Sequence, residues 1–251
     1  MRILLGLLVG LSFLLASPLH AVAQGAASGK PAAAPAPQDA GLIYVPPKRG
    51  SPGARVSGAT RGVAPDSTSA YAGNAVRVFA LAPDHVGLTE QEQPTLYWFA
   101  SRALPDGAEL EITADGTGKT LLRTTLPGPI AAGINAIPLS GTAARLATGT
   151  VYTWTVTAVV SRTDPMKNEV TSSQIERISS MHLLTRPPPP GDPYATASFY
   201  AHAGVWYDAI DALSKGLQSA PADVRLHKSR AALLAQVGLS AVAAADSAAA
   251  R

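Results

Sequence analysis

Histidines, acids and hydroxyl side chains are the groups from which most reaction centres are built. The histidines of this chain lie in unrelated segments: His20, His85, His182, His202 and His227. They show no metal-binding spacing such as H-E-x-x-H, and no serine stands in a G-x-S-x-G elbow. The sequence therefore predicts no metal, no cofactor and no catalytic residue.

One histidine has acids close to it in the sequence. Asp84, Glu90 and Glu92 all lie near His85, a grouping that resembles a carboxylate–imidazole cluster able to move protons. Polar residues in the turns between strands produce the same pattern without any ligand. We predict that these side chains belong to turns.

One hexapeptide imitates a phosphate-binding loop. Residues 115–120 read D-G-T-G-K-T, but the complete P-loop pattern needs a glycine at the position of Thr113. The following residues, 121–126, have the character of a strand and provide no helix N-terminus for a phosphate. Nucleotide binding is not expected.

Paired carboxylates for glycoside hydrolysis need only be close in space, so the sequence leaves them open. Glu109, Glu111 and Asp115 are candidates by residue type alone. They lie on or beside the polar face of a predicted strand, where acids are normally solvated. A hydrolase acting on envelope material is therefore the third of three hypotheses.

The composition narrows the class of protein. Of 251 residues, 47% are hydrophobic, which is enough for a packed core. The absence of cysteine excludes disulfides, thiolate metal ligands and cysteine nucleophiles. The formal net charge of +3 is close to balance and gives no reason to expect a nucleic-acid partner.

Residues 1–23 have the pattern of a signal peptide. Arg2 supplies a positive charge, residues 3–15 form an apolar run, and Ala21-Val22-Ala23 provides a small-x-small cleavage site. The run is shorter than the roughly 20 residues that span a bilayer. We predict an exported protein without a transmembrane segment in its mature chain, most simply periplasmic and otherwise extracellular.

Two segments without an expected core follow. Residues 24–41 are rich in alanine and proline and should be a disordered linker. Residues 42–74 form a basic Gly/Pro-rich arm, which is predicted to open with a short extended strand at Leu42 to Val45. The arm is either flexible and solvated or a contact for an anion. In the second case the anion-contact candidates are Lys48, Arg49, Arg55 and Arg61.

Residues 75–185 show the alternation that is typical of β-strands. The clearest run places Tyr152, Trp154 and Val156 on one face and threonines on the other. About seven short strands separated by Pro, Gly and Asp turns predict an antiparallel β-sandwich of immunoglobulin-like or fibronectin-like type. Residues 186–193 then form a polyproline linker.

Residues 194–251 are predicted to be helical, which makes the fold class α+β. Gly204 and Gly238 lie 34 residues apart, with Pro221 midway between them. This period resembles the tetratricopeptide repeat, although an amphipathic bundle could fit it by coincidence. The Ala-rich end, residues 241–251, should fray.

So short a helical segment should pack on the β domain or on a partner. Helical repeats bind peptides on a concave face, so its aromatic residues are candidates for a partner groove. These are Tyr200, Trp206 and Tyr207.

Five collinear segments carry a resemblance to a known family. They are PPKRGSPGARVSGATRG at 46–62, LAPDHVGLTEQEQPTLYWFA at 81–100, TGTVYTWTVTAVV at 148–160, QIERI at 174–178 and AGVWYDAIDALS at 203–214. Together they resemble the bacterial family catalogued as domain of unknown function 928. The resemblance implies an exported protein without an established activity, so no catalytic residues carry over. Family members often have a cysteine after the Tyr-x-Trp strand and an aromatic before the IERI-like piece, and this chain has Ser172-Ser173 at the second place.

The leading functional hypothesis is a non-enzymatic protein of the cell envelope that acts as an interaction or structural module, with an envelope or periplasmic protein as its partner. The alternative is a binder of anionic envelope glycan or lipopolysaccharide. That binder would use the basic arm together with Tyr97, Trp98 and Phe99 of the β domain.

Overall fold

A computed structural model describes residues 41–47, 56–57, 75–179, 187 and 189–249. The strands of this part of the chain are β1 Val56–Ser57, β2 Val78–Ala80, β3 Gly87–Thr89, β4 Thr95–Ala100, β5 Ala108–Ala114, β6 Thr120–Leu126, β7 Gly133–Pro138, β8 Val151–Ala158 and β9 Glu169–Arg177. The α-helices are α1 Pro193–His202, α2 Trp206–Ser219, α3 Val224–Gln236 and α4 Ser240–Ala249.

The strands form two sheets. The larger sheet has the order β1-β9-β8-β5-β6, and β3 also pairs with β9, in parallel. The smaller sheet has the antiparallel order β2-β4-β7. Because sheets come first and helices follow, the predicted α+β class is confirmed.

Strand β8 shows how the sequence pattern becomes a core. Buried side chains alternate along it with partly exposed threonines, as the alternation predicts. Trp154 and Val156 lie opposite Ile112 and Leu110 of β5, and all four are buried. The inner face of the larger sheet is thereby filled without a disulfide.

Two strands were not anticipated from the sequence. Strand β3 has only three residues, all buried, and β7 begins at Gly133, whose φ is +105°. Neither gives enough alternation to distinguish a strand from a turn. Their places come from their neighbours, since β7 pairs along the whole of β4 and β3 pairs with the end of β9.

The segment Leu42–Val45 does not form the predicted strand but packs on the helices. Val45 donates its backbone N–H to the carbonyl of Ala201, at 3.0 Å. The side chain of Gln236 accepts from the backbone N–H of Tyr44 and donates to the carbonyl of Leu42, at 2.9 and 2.8 Å. The hydrogen bonds that a neighbouring strand would supply come here from the side chain of Gln236 and the carbonyl of Ala201.

The helices form two successive hairpins, α1–α2 and α3–α4. Gly204 and Gly238 occupy the two equivalent turns, with φ of +76° and +71°, so the 34-residue spacing corresponds to one hairpin. The prediction that residues from 241 fray was wrong up to residue 249. Helix α4 buries Val242 and Asp246 against the preceding helix, and this contact holds it.

Sheets and helices share one continuous hydrophobic core. Helix α2 contacts both β3 and β4, and its Trp206, Ile210 and Leu213 are completely buried. The helical segment therefore packs on the sheets, which is one of the two arrangements expected from its small size.

Candidate functional site

The start of α2 is anchored in the sheets by two aromatic side chains. Trp206 donates its indole N–H to the carbonyl of Leu81 at 2.9 Å. The hydroxyl of Tyr207 accepts from the indole N–H of Trp154 at 2.8 Å and donates to the carbonyl of Gln174 at 3.0 Å. Burial raises the pKa of Tyr207, so this hydroxyl stays protonated and structural.

This anchoring removes the predicted groove residues from the surface. Trp206 and Tyr207 are at most 1% exposed, and Tyr200 is 8% exposed. Their amphipathic rings fill the junction between helices and sheets because each hydroxyl or indole finds a partner there. As candidates for contact with a partner protein they are replaced by residues elsewhere on the helices.

The aromatic residues of the glycan-binding alternative are also inside the protein. Tyr97, Trp98 and Phe99 of β4 are each no more than 5% exposed. Tyr97 donates its hydroxyl to the carboxylate of Asp211 on α2 at 2.9 Å, so it too links sheet and helix. These three rings offer no platform for a sugar.

The four anion-contact candidates of the basic arm, Lys48, Arg49, Arg55 and Arg61, lie outside the described residues. Of that arm the structure describes 42–47 and 56–57, and β1 pairs antiparallel with Thr171 and Ser172 of β9. The anion-contact hypothesis stays a prediction.

A buried acid lies where α2 meets the end of β3. Asp208 accepts hydrogen bonds from the backbone N–H of Glu90 and the side-chain amide of Gln91, each at 3.2 Å, and from the hydroxyl of Thr89. Burial nevertheless raises the pKa of Asp208 from its usual 3.8 to about 6. All three donors are neutral and no cation is among them, so desolvation dominates.

His85 belongs to a short row of hydrogen bonds. Its Nε2 lies 3.0 Å from the hydroxyl of Tyr44, and its Nδ1 lies 3.1 Å from Asp84. This order of hydroxyl, imidazole and carboxylate is that of an activated nucleophile. However, Tyr44 is buried edge-on against Trp206, and burial raises its pKa, which opposes ionisation. The row anchors the Leu42–Val45 segment.

The three acids considered for glycoside hydrolysis are engaged separately. Both oxygens of Glu111 accept from Arg123 at 2.8 Å, while Asp115 accepts from Thr153 and Gln174. Glu109 is exposed and lies two residues before Glu111 on β5. Within the described ranges, no group of three or more His, Cys, Asp or Glu side chains is arranged to hold a metal ion.

A second charged group lies among the helices. Asp246 of α4 receives two hydrogen bonds from the guanidinium of Arg230, at 2.8 and 2.6 Å, and its Oδ1 lies 2.8 Å from Nδ1 of His227. The other ring nitrogen of His227, Nε2, lies 3.0 Å from the carbonyl of Pro221. We call Arg230, His227 and Asp246 the helical clamp.

Sequence reasoning missed both buried acids. Asp208 stands in the first turn of a helix, where acids are common for reasons of the helix dipole alone. Asp246 stands in an alanine-rich end that looks unable to bury anything. Their partners lie 16 to 119 positions away, and no local pattern marks such pairs.

The open site of the helical segment is a cavity of about 570 Å³ between α1, α2 and α3. Gly216 lines it where α1 and α3 pack closely on α2, because a Cβ at that position would lie 2.7 Å from Pro193 and 2.8 Å from Leu226. The guanidinium of Arg225 lies over the ring of Tyr194, 3.9 Å from its centroid, and both residues line the cavity.

The charged side chains around this cavity differ in the partners that they have within the protein. Asp192 and Asp223 cap α1 and α3 and accept backbone N–H groups there. Lys215 forms an ion pair with Asp211 at 2.7 Å. Arg225 has no acid within ion-pair distance among the residues that the structure describes. The cavity therefore offers one stacked cation and an apolar floor to a ligand.

The architecture defines an α+β protein whose helical hairpins are built into a two-sheet core. Residues 56–247 match the family described as Domain of Unknown Function (DUF928), and the chain belongs to that family. Comparison with curated proteins gives no match. Among the helices that the structure describes, none has both the length and the apolar character needed to cross a membrane.

Proposed function

We propose that the protein is a non-enzymatic, exported interaction module of the cell envelope, and that its helical cavity binds an acidic peptide segment of a partner protein. The observation that carries this proposal is Arg225, a cation stacked on Tyr194 at the edge of a 570 Å³ cavity and left without a described acid. A guanidinium held flat on a ring keeps its N–H groups in one plane and pairs readily with a carboxylate.

The apolar floor of the cavity supports a peptide rather than a free ion. Pro193, Ala212 and Leu226 line it next to Tyr194, and a side chain of the partner would bury apolar area against them. The two hairpins with glycine turns 34 residues apart support a tetratricopeptide-like arrangement, in which helical repeats take peptides. The signal-peptide pattern of residues 1–23 supports export to the envelope.

The experiment compares two substitutions on one helix. Arg225→Ala removes the stacked cation, and Lys228→Ala removes an equally exposed cation of α3 that does not line the cavity. The wild-type protein and the Lys228→Ala variant should recover the same envelope protein in a pull-down, and Arg225→Ala should lose it. Equal recovery by all three proteins would count against the cavity.

Deleting the helical segment is not a usable test. Trp206, Ile210 and Leu213 belong to the shared core, so a chain that ends near residue 193 would expose the sheets. Loss of binding by such a chain would report unfolding.

A further inference from the structure

A second cavity, of about 230 Å³, lies between β7 and the helices. It lies on a different face of α2 from the 570 Å³ cavity proposed to bind a peptide, the peptide cavity. Ile134 and Ala136 of β7 form one wall, and Leu217 of α2 is part of the other. None of the residues that line it lines the first cavity. It is therefore a separate site that the proposed function does not use.

Polar side chains of this cavity are unusually well buried. Tyr97, Ser214, His227 and Arg230 all line it, and each is no more than 8% exposed. Buried polar groups of this kind are held in place by their own hydrogen bonds. Arg230 donates to Ser214 at 3.2 Å and to Asp246, and Tyr97 donates to Asp211, so the polar wall is rigid before any ligand arrives.

The guanidinium of Arg230 has donors left over. It carries five N–H groups, and three of them account for its bonds to Asp246 and Ser214. Because Asp246 is bound through Nε and Nη2, one N–H of Nη1 and one of Nη2 are not used by the residues that the structure describes. Unused N–H groups of a guanidinium donate charge-assisted hydrogen bonds to the oxygens of a carboxylate.

The apolar wall of the cavity determines the chemical character of the ligand beyond its carboxylate. Ile134, Ala136 and Leu217 are apolar, so the part of the ligand beyond its carboxylate should be aliphatic. The volume equals that of about seven or eight water molecules, which leaves room for a ligand of about six non-hydrogen atoms. The charge of Asp246 is compensated by Arg230 and that of Asp211 by Lys215, so an added anion does not face an unpaired acid here.

We infer that the cavity between β7 and the helices is a binding site for a small aliphatic monocarboxylate, held by the two free N–H groups of Arg230. The inference does not rest on the proposed function, because Arg225 and the peptide cavity take no part in it.

The test uses isobutyrate as the probe and isobutyramide as its control, because the two have nearly the same shape and only the first carries the charge. Titration of the full-length mature protein with isobutyrate should give saturable shifts of the amide resonances of α2, α3 and β7 in NMR spectra. Isobutyramide should give none. Equal shifts with both compounds would overturn the inference.

Two variants locate the binding. Arg230→Lys keeps a cation beside Asp246 but removes the planar pair of donors, and it should weaken isobutyrate binding at least tenfold. Ala136→Phe fills the cavity from an exposed position of β7, leaves the three residues of the helical clamp unchanged, and should abolish binding. Thr125→Phe, on an exposed position of β6 in the other sheet, is its control. Binding that survives Ala136→Phe would overturn the inference even if Arg230→Lys fails to fold.

Discussion

Two buried aspartates, at opposite ends of the helical segment, are accommodated in different ways. Asp208, at the start of α2, receives hydrogen bonds from three neutral donors on and beside β3. Asp246, on α4, receives two hydrogen bonds from the guanidinium of Arg230 and lies beside His227. Both residues are less than 7% exposed, so the difference between the two sites is in their partners and not in their burial.

The comparison distinguishes compensation of a buried carboxylate by neutral hydrogen-bond donors from compensation by a cation. A carboxylate taken out of water is costly unless a cation or enough hydrogen bonds compensate it. Neutral donors compensate Asp208 only in part, and its pKa rises to about 6. At the helical clamp the guanidinium of Arg230 supplies the compensation, and removal of Asp246 would leave that buried cation without its acid.

The largest expected effect follows from breaking the helical clamp. Asp246→Ala should lower the free energy of unfolding by about 3–5 kcal/mol, because it leaves Arg230 and His227 buried without their acid. Urea unfolding followed by tryptophan fluorescence measures this loss.

The matched control for that experiment replaces both charges at once. Asp246→Leu combined with Arg230→Met should recover most of the stability, because apolar side chains of similar volume need no compensation. If the double variant is as unstable as the single one, charge pairing is not what holds α4 in place.

The next effect is a change in the pH dependence of stability at the α2 junction. The folded-state pKa of Asp208 is about 6 and its ordinary value is 3.8, so its stabilising contribution is present below about pH 4 and lost as the pH rises through 6. That loss amounts to about 3 kcal/mol for a shift of this size. Asp208→Asn cannot ionise, so its stability relative to wild type should rise by about that amount between pH 4 and 7.5.

Unfolding free energies of both proteins, measured across this pH range, check the prediction. Parallel curves for wild type and Asp208→Asn would show that Asp208 does not ionise within it.

The smallest effect concerns packing at the same junction. A Cβ on Gly87 would lie 2.6 Å from the ring of Tyr207, which is itself fixed by two hydrogen bonds. Gly87→Ala should therefore cost about 1–3 kcal/mol through overpacking. Gly141→Ala is its control, because nothing lies within 4 Å of the added carbon, and it should change stability by less than about 0.5 kcal/mol. Thermal unfolding of the two variants compares them directly, and equal stabilities would refute the close contact.

The sequence predicted those features that repeat at a short period. The alternation around Trp154 predicted β8, and the spacing of Gly204 and Gly238 predicted the period of a helical hairpin, although the second hairpin was expected to fray at its end. Strands as short as β3 contain too few residues to alternate, so only pairing with β9 reveals them.

The site residues were harder to predict, because their roles depend on partners that are distant in the sequence. Trp206 and Tyr207 are of residue types that are common on binding surfaces. Only their hydrogen bonds with Leu81 and Trp154 show that they belong to the core. Arg225 and Tyr194 come together because α1 and α3 both pack near Gly216. Such juxtapositions follow from tertiary structure and leave no local trace in the sequence.

The two hydrogen bonds of Gln236 impose an order on folding. They join residues that are 192 and 194 positions apart, so Leu42 and Tyr44 cannot make these hydrogen bonds until α3 has formed. Closing so long a loop carries a large entropic penalty, and topologies dominated by such contacts fold slowly. The segment Leu42–Val45 can therefore dock only after α3 has been synthesised, and until then it stays open to chaperones and proteases.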